Sequence, residues 1–102
     1  MTTWFISRHP GAIDWGNRQN LLIDRFEPHL DLVLIQGGDI VIGSLPVDLA
    51  AQVCARDAAY WHLSLALPFE LRGVELNADD LERLGAKIEP FEIKPALTAT
   101  NR

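Results

Sequence analysis

The sequence predicts a single α/β domain: a mostly parallel sheet of about five strands with helices on both faces. Three observations predict it. Apolar runs at residues 3–6, 40–42 and 59–65 carry the β-branched and aromatic side chains of buried strands. Amphipathic helical patterns separate those runs. At 102 residues, 48% of them apolar, the chain can build one core.

The first strand, residues 3–6, stops at three consecutive polar residues, Ser7, Arg8 and His9, followed by Pro10 and Gly11. Ile13, Trp15 and Leu21, with polar residues between them, then read as a short helix with Pro10 in its first turn. A strand, a polar turn and a helix amino-terminus form an anion site in α/β folds. Arg8 and His9 add clustered cationic chemistry there. The plain alternative is a tight connector whose polar residues face water. Residues 21–26 predict a second strand, broken by Glu27-Pro28-His29. His29 reads as a loop or capping histidine rather than a ligand. Residues 32–35 fit either a strand or one helical turn, and Gln36-Gly37-Gly38-Asp39 is a turn.

Residues 40–42 predict a strand ending at Gly43-Ser44-Leu45-Pro46, which repeats the logic of the first turn. Val47, Leu49, Ala50, Val53 and Cys54 then share one helical face. Gly43 permits close backbone approach, and Ser44 can either cap this helix or bind a ligand oxygen. Along residues 59–65, alternation places Tyr60, His62 and Ser64 on one face and Trp61, Leu63 and Leu65 on the other. The histidine and serine are either a hydrogen-bonded core pair or the lining of a pocket. Pro68 ends the strand, and residues 69–77 form a loop long enough to act as a flap. Asn77 caps a helix that Gly85 stops. Residues 87–93 form a last strand, whose Pro90 assigns it to a sheet edge or a bulge. Residues 1–94 make the domain, with a frayed tail at 95–102.

A formal net charge of −5 excludes general DNA or RNA binding driven by counterion release. The charge is uneven: residues 1–26 carry three arginines against two aspartates, while 27–102 carry six basic and twelve acidic residues. An anionic ligand is therefore expected near the amino-terminal turn. The single cysteine, Cys54, excludes a disulfide framework and reads as a small packed hydrophobe. No apolar segment approaches membrane-spanning length and no signal-peptide pattern is present, so the cytoplasm is the expected compartment. There is no dinucleotide fingerprint and no phosphate loop of the GK[ST] kind. His9, His29 and His62 are scattered without metal-ligand spacing. No metal or cofactor is expected. What remains is an arginine, histidines and hydroxyls at strand ends, which can hold phosphates and stabilise developing negative charge. Such groups suffice where the substrate carries its own nucleophile.

Thr3-Trp4-Phe5-Ile6-Ser7-Arg8-His9-Pro10-Gly11-Ala12, Gly38-Asp39-Ile40-Val41-Ile42-Gly43-Ser44-Leu45-Pro46 and Tyr60-Trp61-His62-Leu63-Ser64-Leu65 resemble the motifs of the small CRISPR-associated family Csx-type number sixteen. The resemblance implies a Rossmann-like fold related to the CRISPR-associated (CARF-like) sensor domain, in a homodimer that accompanies type III systems. It further implies a ring nuclease, which cuts cyclic tetra-adenylate without metal: the adenosine 2′-hydroxyl attacks the adjacent phosphorus and leaves a 2′,3′-cyclic phosphate. On the matching positions, physical reasoning assigns Arg8 to the developing charge and His9 or His62 to proton transfer. Ser7, Pro10, Gly11, Gly43, Ser44, Leu45 and Ser64 become the substrate-binding residues. A protein that sequesters the messenger without cutting it would use the same groups.

Overall fold

Thr3–Ile6 (β1) is buried along its whole length. Its aromatic and β-branched side chains suit a strand with a parallel neighbour on each side, and it has both. This computed structural model describes residues 1–97. The neighbours of β1 are Arg25–Glu27 (β2) and Ile40–Gly43 (β3); Ala59–Ser64 (β4) and Lys87–Phe91 (β5) complete a sheet in the order β2-β1-β3-β4-β5. The first four strands run parallel and β5 runs antiparallel. Glu27, Ile6, Gly43 and His62 stand in one row across the sheet, so Pro28, Ser7 and Ser44 leave it side by side.

Helices cover both faces, as the alternating pattern requires. Pro10–Arg18 (α1) and Ala78–Arg83 (α3) lie on one face, where Phe5, Trp15, Ile42, Leu63 and Leu81 form a core. Val47–Ala55 (α2) lies on the other, over Trp4, Ile6, Val41, Val53 and Tyr60. Trp4 and Ile6 point one way and Phe5 the other, the period-two alternation of a strand. Phe5, Val41, Val53 and Tyr60 are the largest fully buried side chains, and each such apolar side chain contributes roughly 1.5–3 kcal/mol. At α3 the Asn77 side chain accepts from the Asp80 amide at 2.8 Å while the Asp80 carboxylate accepts from the Asn77 amide at 2.9 Å. This reciprocal cap starts the helix, and Gly85, at φ 72°, ends it.

The second strand is shorter than residues 21–26 predict. Leu21 and Leu22 are exposed in a turn closed by the Leu21 amide on the Gln19 carbonyl. The ladder begins only at Asp24, whose amide donates to the Thr3 carbonyl while its carboxylate accepts the Thr3 amide at 2.7 Å. β1 offers four residues, so earlier residues would find no pairing partner. Residues 32–35 resolve as one 3₁₀ turn, Leu32–Leu34, capped by Asp31. Pro90 does sit at a sheet edge, on β5 opposite Trp61. β5 enters beside Ser64 and runs antiparallel to β4. Part of the expected tail, residues 98–102, lies outside the described residues.

Candidate functional site

Where β1 to β4 end, the chain turns into loops, and these enclose a largely apolar cleft of about 570 Å³, within the usual range for small-molecule sites. Ser7, Arg8 and His9 follow β1; Pro28, His29 and Leu30 follow β2; Ser44, Leu45 and Pro46 follow β3; Leu63 and Leu65 come from the end of β4 and just beyond it. Connections leave β1 and β3 for opposite faces of the sheet, the switch point at which open α/β sheets bind ligands. Two further concavities, of about 450 and 380 Å³, lie beside Cys54 and Phe91 and beside Leu21 and Trp61, and neither is lined by a basic side chain.

Charge distinguishes the cleft. Arg18, Arg25 and Arg83 each pair with a carboxylate, of Asp79, Glu27 and Asp80 respectively. Arg8, like Arg56 and Arg72, makes no ion pair or side-chain hydrogen bond among the described residues, but of these three only Arg8 stands on the cleft wall, where it is exposed. His9 precedes α1, and its amide donates to Ser7 Oγ at 3.1 Å, which fixes the turn. Its Nδ1 lies 3.4 Å from the Glu75 carboxylate, which brings the 69–77 loop to the rim. Both side chains are well exposed, so the pair adds little stability. Its consequence is orientation: the carboxylate accepts a hydrogen bond from the Nδ1–H tautomer, which turns the Nε2 edge of the ring away from Glu75.

His29 lies in the loop after β2, as the sequence reading has it, but Asp31 and not His29 caps the following turn; His29 lines the cleft with no hydrogen-bond partner among the described residues. The signal was present in the sequence: β2 ends at Glu27 beside Ile6, so the strand-end argument that selects Ser7–His9 also selects Pro28 and His29.

Ser44 lines the cleft but does not cap α2, whose N-cap is Pro46; its Oγ donates to the Leu63 carbonyl at 2.7 Å. The amide of Leu45, a residue assigned to substrate binding, donates to the Tyr60 hydroxyl at 2.9 Å. Gly11 and Gly43 serve close packing. A Cβ at Gly11 would overlap the Leu76 carbonyl oxygen, and one at Gly43 would lie 2.9 Å from the Ile6 carbonyl oxygen. Pro10, Gly11, Gly43, His62 and Ser64 do not line the cleft. His62 is turned toward Tyr60, 2.6 Å from Nδ1 to the phenol oxygen, with the Phe91 ring edge-on beside it. It thus bonds to Tyr60, a core residue on its own face, and not to Ser64, so His62 and Ser64 neither pair with each other nor line the cleft. Ser64 Oγ is buried and has no hydrogen-bond partner among the described residues. The cleft gathers Ser7, Arg8, His9, Ser44 and Leu45 from the predicted set and adds His29.

Burial pushes the Tyr60 phenol above its ordinary range, so it stays a hydroxyl at neutral pH. Among the described residues no group of three or more His, Cys, Asp or Glu is gathered to hold a metal ion, and no helix is long and apolar enough to cross a membrane.

The fold and the cleft define a small α/β protein that presents an unpaired arginine and two imidazoles at its strand ends. The chain belongs to the family described as "Putative CRISPR-associated protein (Cas_VVA1548)", whose profile matches residues 4–94. Comparison with curated proteins and with solved structures yields no match.

Proposed function

We propose that this CRISPR-associated protein is a ring nuclease, similar to Csx-type number sixteen, that cleaves the cyclic tetra-adenylate messenger of type III defence in the cytoplasm. The observation that carries the reading is the unpaired Arg8 beside His9 and His29 in one cleft at the sheet's switch point. In the reaction the 2′-oxygen bonds to the adjacent phosphorus and the phosphorus–O5′ bond breaks. One proton leaves the 2′-hydroxyl and one reaches the departing 5′-oxygen, giving a 2′,3′-cyclic phosphate and a free 5′-hydroxyl. The Arg8 fork spans two phosphate oxygens as charge builds on them. His9 Nε2 takes the first proton and His29 supplies the second, so the chemistry needs no metal. Arg8 and His9 keep their sequence-assigned roles; His29 replaces His62.

A homodimer fits this reading. A cleft of about 570 Å³ suits part of a four-nucleotide ring, and a two-fold axis shared by protein and ligand would join two such clefts around it. The deciding experiment incubates substoichiometric protein with cyclic tetra-adenylate in excess chelator. Cleavage of many equivalents is expected. Tight binding without turnover would make the protein a sequestering one instead, and activity abolished by chelator and restored by a divalent ion would overturn the metal-free step. Light scattering should give twice the chain mass of 11.4 kDa.

A further inference from the structure

The Tyr60 hydroxyl lies outside the cleft, yet three groups converge on it. The Leu45 amide is 2.9 Å away, the Gly43 carbonyl oxygen 3.0 Å and His62 Nδ1 2.6 Å. A phenol has one proton to give and two lone pairs to receive. The amide of Leu45 can only donate, so it occupies one lone pair. The carbonyl of Gly43 can only accept, so it takes the phenol's proton. All three contacts are satisfied together only when His62 donates its Nδ1 proton to the second lone pair. The reverse arrangement sends the phenol's proton to His62 and leaves the Gly43 carbonyl without this donor. Tyr60 is 1% exposed, so water cannot repair the loss.

We infer that Tyr60 is a positioning residue for the cleft, and that His62 acts through it as an obligatory Nδ1–H donor. The phenol ties the last residue of β3 to the residue that begins the approach to α2, and between them stands Ser44. Ser44 and Leu45 both line the cleft. The Ser44 hydroxyl, bonded to the Leu63 carbonyl, holds the same turn from β4. The turn is therefore held at three successive residues by two side chains, and burial keeps the Tyr60 phenol protonated for the task. Because Nδ1 carries the proton, Nε2 of neutral His62 is the free acceptor, the opposite of the tautomer that free histidine prefers.

The role in ligand binding rests on the reading of the cleft given above; the hydrogen-bond assignment does not. The test starts from ¹⁵N-labelled wild-type protein at alkaline pH, with long-range proton–nitrogen spectra of the imidazole rings. His62 is expected to show a protonated Nδ1 and a bare Nε2. A bare Nδ1 would overturn the assignment. Tyr60→Phe keeps the ring and removes the hydroxyl; it should shift His62 toward the Nε2–H form and speed exchange of the Leu45 amide. His62→Asn places an amide N–H near the position of Nδ1, whereas His62→Phe keeps a ring without a donor. Slow Leu45 exchange is expected to survive in the asparagine variant and to be lost in the phenylalanine variant. Equal exchange in the two would overturn the positioning role. Affinity for cyclic tetra-adenylate should weaken by about tenfold in Tyr60→Phe and His62→Phe, the effect of one hydrogen bond, and much less in His62→Asn. If wild-type protein does not bind that probe, the reading of the cleft falls, while the ring and amide signals still decide this inference.

Discussion

Ser44 Oγ donates to the Leu63 carbonyl at 2.7 Å, joining the loop after β3 to β4 at the wall of the cleft. That contact makes Ser44 a structural residue of the site. Ser44→Ala should lower stability by about 1 kcal/mol, read from urea unfolding. Affinity for cyclic tetra-adenylate should stay within about threefold of wild type, well under the effect of a lost charged contact. Unchanged stability with a large loss of affinity would return Ser44 to phosphate binding.

Arg8→Ala should leave the melting temperature unchanged, because the guanidinium has no protein partner among the described residues. Turnover of saturating cyclic tetra-adenylate should fall by roughly 10²–10³. Binding should weaken less, since a ring of phosphates keeps other contacts. A folded variant with near wild-type turnover would remove Arg8 from the mechanism.

His29→Ala separates the two histidine assignments. The side chain lines the cleft and is exposed, so its loss should not affect folding. Single-turnover cleavage should slow by roughly 10²-fold, in the range for a general acid. His62→Ala should behave differently, lowering stability together with activity because it removes the partner of Tyr60. If His29→Ala cleaves at the wild-type rate, proton delivery to the 5′-oxygen falls to another group.

Asp39 should set the acid limb of stability. It is 4% exposed. Burial alone would raise its carboxyl, but the Gln36 and Thr2 amides and the Trp4 indole overcome that and hold it below the ordinary range. The folded state therefore binds this proton more weakly than the unfolded state. The resulting stability is fully present above the ordinary aspartate value, about pH 4, and is lost as pH falls through the lower, folded value. Asp39→Asn should cost roughly 1–3 kcal/mol at neutral pH and flatten the decline below about pH 4. Urea midpoints measured across pH check this; a uniform offset with the same acid slope counts against it.

The strand ends were legible in the sequence because each joins a buried run to a polar turn within a few residues, as at Ile6-Ser7-Arg8 and Ile42-Gly43-Ser44. Chemistry that depends on distant residues was not. Ser44 is a sound cap candidate until Leu63 is known to lie beside it. Gly11 has the composition of a ligand-approach glycine, yet it abuts the Leu76 carbonyl from another element. His29 reads as a loop or capping residue because a histidine in a loop carries no pattern of its own; only the pairing of Glu27 with Ile6 puts it beside Arg8. Leu21 and Leu22 have strand composition, but the four residues of β1 decide where pairing starts.

β1 runs toward the cleft and β5 runs away from it. Thr3 and Phe91 consequently stand toward the end of the sheet remote from the cleft. A purification tag, a dye or a tether to a sensor surface attached at either side of this span would leave the mouth of the cleft facing solution. If the cleft takes the ligand proposed above, the fold lends itself to an immobilised reporter of that ligand, oriented by its own strand directions.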